Sequence, residues 1–242
     1  MTPDEPVALG SRLELLVDDH LIERLSGGTL RLHSPVPCET ALFADKPWEG
    51  NMCGYATVFQ DGARFRMYYR GWSAGIQADP TGKQRLVGAF PSVICCAESD
   101  DGVRWRRIEA DRYEFEGSRR NNIVWPGEGE IMKGTHGFSP FRDANPACPP
   151  EARYKAVGSS EHGTKTHGLF AMTSPDGVRW SLLQPGPIIT TGAFDSQNLA
   201  FWDSVRGEYR AYVRDFREGR RCIRTAVSKD FANWTAAEWL EY

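Results

Sequence analysis

No window of this chain of 242 residues approaches the run of roughly 18 apolar residues that a membrane-spanning helix needs. The first dozen residues lack both the basic and the apolar stretch of a secretory leader and run instead through Pro3, Asp4, Glu5 and Pro6. The chain is therefore expected to stay in the cytoplasm. An excess of positive charge is missing too. Lys and Arg number 29 against 32 Asp and Glu, a formal net charge of −3, so neither nucleic acid nor an anionic membrane is an expected partner. Cys38, Cys53, Cys95, Cys96, Cys148 and Cys222 form no Cys-x-x-Cys pair. They are expected to be reduced, mostly buried thiols, and neither a metal site nor a cofactor is expected. Long helical periodicity is absent as well, apart from a turn near residues 18–24.

What remains reads as β-structure. Aromatic residues make up 12% of the chain, with eight Trp, a content that either fills β-cores or stacks on ligands. Three segments share one pattern: Glu98-Ser-Asp-Asp-Gly-Val-Arg-Trp105, Thr173-Ser-Pro-Asp-Gly-Val-Arg-Trp180 and, more loosely, Ser228-Lys-Asp-Phe-Ala-Asn-Trp234. Asp-Gly favours a hairpin because Gly accepts positive φ without steric cost, and the Trp is expected to open the next strand.

Before each pattern lie three runs of strand-like residues. They are 54–60, 64–71 and 92–97, then 137–141, 153–158 and 167–172, then 199–202, 208–214 and 222–227. Turn-forming residues separate the first two runs of every unit: Asp61-Gly62, residues 143–151, and residues 203–207. Each unit thus reads as strands A, B, C and D of an antiparallel meander. The closing Trp residues fall 75 and then 54 positions apart, the longer interval holding an insertion at 109–135. Four short strands at this period predict all-β blades of a propeller, at about 48–110, 135–185 and 194–242, after an amino-terminal segment of residues 1–47. A β-sandwich would give short strands without requiring the same hairpin three times.

Blade topology sorts the polar residues. Strand A is innermost, so residues heading it converge from successive blades, and residues ending strand B share that mouth. Asp61, Asp143 and Asp203 fall in A–B turns at the opposite end, as turn caps. Glu49 and Asn51 head the first blade, His136 the second, and Asp195, Gln197 and Asn198 the third. Arg70, Trp72, His162, Asp215 and Arg217 follow strands B. Asp18-Asp19 is a lesser source of carboxylates. Carboxylates converging with Trp and Arg suit glycosidic-bond chemistry, in which one group protonates the leaving oxygen and another acts as base or nucleophile.

The Ser-x-Asp-Gly-x-x-Trp hairpins, Phe65-Arg-Met-Tyr-Tyr-Arg-Gly71 and Phe194-Asp-Ser-Gln-Asn-Leu-Ala-Phe-Trp202 resemble the five-bladed propeller glycosidases of glycoside hydrolase families 32, 43 and 68, in particular bacterial proteins similar to the family 32 amino-terminal domain. The resemblance implies five blades, of which three are countable, so the chain is expected to be a truncated part of the whole. It also implies carboxylates heading the first three inner strands, which fall near Glu49 or Asn51, near His136 or Ser139, and at Asp195. Departures accompany it: the family's Asn-Asp-Pro-Asn-Gly stretch is missing, His136 stands where an Asp is usual, and Asp195 where a Glu is. Phe141-Arg-Asp-Ala-Asn-Pro146 echoes the family's Arg-Asp-Pro but lies after the inner strand and is no match.

Two functions stay open. One is a glycoside hydrolase-like enzyme with Asp195 as general acid, Glu49 as base or nucleophile, and His136, Asn51, Arg70, Trp72, Gln197, Asn198 and Asp215 holding a sugar. The other is a non-catalytic carbohydrate-binding or scaffold propeller. Three blades alone would expose edges and apolar faces, which invites self-association.

Overall fold

A computed structural model describes residues 6–11, 14–88, 92–127, 135–160 and 167–241. Contacts divide the chain into residues 1–40 and 41–242. The described part of the first unit has turns and bends but neither helix nor strand. Among the described residues no helix is long and apolar enough to cross a membrane.

Among the described residues the second unit is built from three larger antiparallel sheets and a separate two-stranded hairpin. The first blade contains β1 (Met52–Asp61), β2 (Arg64–Trp72), a side hairpin of β3 (Ala74–Ala78) and β4 (Gln84–Gly88), β5 (Val93–Ser99), β6 (Arg106–Arg107) and β7 (Ile123–Trp125). The second contains β8 (His136–Arg142), β9 (Tyr154–Ser159), β10 (Leu169–Ser174) and β11 (Ser181–Leu182). The third contains β12 (Leu199–Asp203), β13 (Glu208–Arg217), β14 (Arg220–Ser228) and β15 (Glu238–Trp239). Strand orders β1-β2-β5-β6, β8-β9-β10-β11 and β12-β13-β14-β15 are the expected meanders. Two elements were not anticipated. The B–C connection of the first blade folds into the β3–β4 hairpin, and β7, inside the expected insertion, pairs with β5.

The repeated turn is a network rather than a bare Asp-Gly corner. Ser99, Ser174 and Ser228 each accept a backbone N–H from three residues on, at 2.9, 2.8 and 2.9 Å. Asp101, Asp176 and Asp230 each accept two further backbone N–H groups at 2.8–2.9 Å. These donors hold Asp101 and Asp230 at a pKa of about 2. Burial pulls Asp176 upward, but the same donors outweigh it, and it also lies at about 2. The residue after each Asp is left-handed, Gly102 at φ 76°, Gly177 at 77° and Phe231 at 69°. At Phe231 the side chain is fully buried between the second and third blades, so packing offsets what the backbone loses.

Period-two alternation places one core on each side of a sheet. Tyr68 of β2 joins Ile94, Cys96, Phe138, Phe170, Met172 and Trp180 between blades one and two. Its neighbour Tyr69 points the other way, into a cluster with Val93, Cys95 and Ile123 covered by Leu42, Trp48, Trp105, Tyr113 and Phe115. Val157, Leu169, Ala171, Ala200, Ala211 and Phe231 fill the space between blades two and three. Asp61 and Asp143, expected only as turn caps, reach across these interfaces. Tyr154 donates to Asp61 Oδ2 at 2.7 Å, and Tyr209 donates to Asp143 Oδ2 at 2.6 Å. All six cysteines are free, but of these Cys95 and Cys96 are buried while Cys38 and Cys53 are exposed, so mostly buried thiols were the wrong expectation.

Candidate functional site

The heads of the inner strands β1, β8 and β12 come together. β1 carries a register shift between Gly54 and Thr57, and β8 one between His136 and Ser139, so both inner strands bulge where they enter the sheet. Such bulges re-aim side chains at the rims of sheets. Tyr55 is left-handed, at φ 51°, and its ring meets that of His136 edge-on at 5.3 Å. Gly137 has φ 61°, and a Cβ there would lie 2.5 Å from the carbonyl oxygen of Ser196. Only glycine lets the second and third heads approach this closely. Gln197 Nε2 closes the circle by donating to Thr57 Oγ1 at 2.7 Å.

The ends of the second strands supply charge. Arg70 is 7% exposed, stacks over Trp72 at 4.8 Å, donates to Ser92 Oγ at 3.2 Å and brings Nη1 3.3 Å from His136 Nδ1. A guanidinium can only donate, so Nδ1 accepts and the neutral ring carries its proton on Nε2. Thr135 Oγ1 donates to Ser92 at 2.6 Å, fixing the residue beneath Arg70. Ser159 donates to the Phe194 carbonyl at 2.8 Å. Arg214, also 7% exposed, forms an ion pair with Asp195 and stacks over Phe216 at 4.3 Å. Asn198 is a buried brace: its Oδ1 accepts from Arg214 N at 3.0 Å and its Nδ2 donates to Ser196 O at 3.0 Å.

His136, Asp195, Arg70, Trp72, Gln197 and Asn198 are thus joined, directly or through one shared neighbour, to strand heads that meet. Glu49 is not among them. It sits in a short 3-10 turn and is fully buried, accepting from Tyr69 OH at 2.5 Å, Arg107 Nε at 2.7 Å, Arg107 Nη2 at 2.8 Å and Lys46 N at 2.9 Å. Burial alone would raise its pKa, but Arg107, Tyr69 and Lys46 together hold it below the ordinary value. Its partner Tyr69 and the close-packed Gly71 lie on the opposite face of β2 from Arg70. The expected meeting of Glu49 with His136 and Asp195 is therefore corrected, because the first sheet lies between them. Asn51 exchanges two 2.9 Å hydrogen bonds with the backbone of Ala74 and anchors the side hairpin. Asp215 lies on the other face of β13 from Arg214, held at 2.6 Å by Arg224. Burial raises its pKa, but Arg224 and the Phe216 N–H lower it more. Arg217 pairs with Glu241 at 3.3 Å, and Asp18 Oδ1 accepts from His20 N at 3.0 Å in an exposed turn. His162 lies outside the described residues.

Tyr55, Thr57, Ser92 and Arg214 were missed. A signal for Arg214 exists, since Phe65-Arg-Met-Tyr-Tyr-Arg70 and Tyr209-Arg-Ala-Tyr-Val-Arg214 are one pattern of aromatic, Arg, any residue, Tyr, any residue, Arg. Among the described residues no cluster of His, Cys, Asp and Glu is placed to hold a metal ion.

Neither a protein-family model nor a curated protein sequence matches the chain. Solved structures do. A β-1,2-mannobiose phosphorylase from Listeria innocua, in complex with β-1,2-mannobiose, superposes with a TM-score of 0.50 at 15% identity, covering 77% of this chain and 58% of that one. The three meanders are blades of a β-propeller. A glycosyl hydrolase from Bacteroides ovatus gives a TM-score of 0.49 at 15% identity over 79% of this chain and 52% of its own. A fructofuranosidase from Schwanniomyces occidentalis gives 0.46 at 17% identity over 74% and 32%. The chain spans little more than half the length of the first two structures.

Proposed function

We propose that the chain is part of a carbohydrate-active propeller of glycoside hydrolase type, binding a sugar at the mouth formed by its inner strand heads. The observation that carries this reading is the Arg70–Trp72–His136 group, together with the close approach of Gly137 to Ser196, the chain neighbours of His136 and Asp195. Trp72 offers an apolar ring face to a pyranose, as sugar sites require. Arg70, the Nε2–H of His136 and Gln197 are suited to hydroxyl groups. Support for the ligand class comes from the Listeria structure, which is a complex with a disaccharide. Asp195 is the carboxylate that this reading assigns to the glycosidic bond. The sequence suggests it as the general acid, and it forms an ion pair with Arg214. Cleavage by paired carboxylates needs a second such group, and Glu49 does not serve.

One observation favours a second reading, a sugar-binding blade arc without turnover: of the two carboxylates nominated for catalysis, one is sealed on the far face of the first sheet. Asp195→Asn separates them. On a panel of aryl glycosides and β-linked disaccharides, the hydrolase reading expects measurable wild-type turnover that this variant abolishes while binding persists. Wild-type binding without turnover gives the second reading its place. Absence of both removes the carbohydrate assignment.

A further inference from the structure

The inner strands of the first two blades share one irregularity. Gly54 pairs with Arg70 and Thr57 with Tyr68, so Tyr55 and Ala56 together face Tyr69. His136 pairs with Ser159 and Ser139 with Val157, so Gly137 and Phe138 together face Gly158. In each bulge the residue after the outer pair is left-handed, Tyr55 at φ 51° and Gly137 at φ 61°. The two positions are equivalent, and their occupants could hardly differ more.

Glycine is the residue this conformation favours, and at Gly137 the nearby Ser196 carbonyl demands it. At the matching position of the first blade a bulky aromatic residue is held in the same left-handed region, against its backbone preference. Phe231 offsets such strain by complete burial. Tyr55 does not: it is only half-buried and belongs to none of the three buried clusters. Its ring meets His136 edge-on, and its hydroxyl makes no hydrogen bond among the described residues. Two residues on, Thr57 Oγ1 accepts from Gln197, which is itself two residues from Asp195. The strained residue therefore stands where the first strand head meets the other two. Strain kept where packing does not explain it marks a functional position.

We propose that Tyr55 is the first blade's own contact with the sugar, its hydroxyl bonding a hydroxyl group of the ligand at the mouth. The bulge and its left-handed residue turn the ring toward His136 and leave the phenolic oxygen open. This inference rests on the sugar reading. It adds a polar group at the head of the first inner strand, where Glu49 is sealed away and Asn51 is engaged with Ala74.

Two variants test it, with the wild type's tightest ligand from a panel of aryl glycosides and β-linked disaccharides as the probe. Tyr55→Phe keeps the ring, the backbone and the contact with His136. It should unfold at the wild-type denaturant midpoint while binding the probe about fivefold more weakly or worse. Tyr55→Asn suits the left-handed backbone better, so its midpoint should equal or exceed that of the wild type while its affinity falls at least as far. Equal affinity of the wild type and Tyr55→Phe overturns the proposal and leaves the sugar reading intact. A midpoint for Tyr55→Asn well below the wild type's also overturns it, since the ring would then be kept for packing. A wild type that binds nothing on the panel removes the sugar reading itself, and this inference with it.

Discussion

Arg70 and His136 are joined at 3.3 Å, so the end of the second strand in one blade fixes the head of the inner strand in the next. The contact decides the tautomer of the histidine. Nitrogen-15 correlation spectra of the neutral ring should report the proton on Nε2, and Arg70→Met should return a mixture of tautomers. Equal spectra for parent and variant would mean that the guanidinium does not set the ring.

Gly137 is the closest point between the second and third heads. Gly137→Ala would place a methyl against the Ser196 carbonyl at a positive φ, and the expected loss is about 2 kcal/mol or more in chemical denaturation. A change of under about 0.5 kcal/mol would mean that the two heads part without strain.

Glu49 is a structural carboxylate. Glu49→Gln leaves Arg107 with only the exposed Asp45 as its anion and should cost about 3 kcal/mol, with sugar affinity of the folded protein unchanged. Since its pKa is lowered on folding, its contribution is complete above the ordinary glutamate range and is lost as pH falls through the folded value. Reduced affinity at preserved stability would return Glu49 to the mouth.

The three turn aspartates predict an acid signature. Each lies at about 2 in the fold, against about 3.9 for an unfolded aspartate. Their stabilisation is therefore complete above about pH 4 and drains away towards pH 2. Asp176→Asn keeps an oxygen for the backbone donors but cannot titrate, so tryptophan-monitored unfolding should depend less steeply on pH across that window. Identical slopes would exclude the turn as the source.

Tyr209 joins two blades through one oxygen. Tyr209→Phe strands Asp143 and Asn145 of the preceding blade, and a loss of about 1–3 kcal/mol is expected from thermal unfolding. A neutral result would show that Lys155 alone satisfies Asp143.

The meanders were legible because their turns are written in short-range chemistry: Ser, Asp and Gly at fixed offsets specify hydrogen bonds within four residues. The third turn was legible only loosely because Phe231 does by packing what glycine does by freedom. The β3–β4 hairpin left little trace, its corner being made by Asp79 Oδ1 accepting from Thr81 N and Lys83 N rather than by Asp-Gly. Glu49 was misplaced for a different reason. Its position before strand A says which end of the blade it occupies, but not which face. That depended on Gly71, whose missing side chain lets the turn pack onto β2, and on Arg107, far along the chain. Asp61 and Asp143 were read as local caps because their tyrosine partners lie 93 and 66 residues away.

The lid of Leu42, Trp48, Tyr113 and Phe115 over the outer side of the first sheet gives the arc a direction. The first of the three sheets carries its own cover, supplied by nearby chain, so it can close without the other two. Each of the other two sheets can then pack on a finished surface.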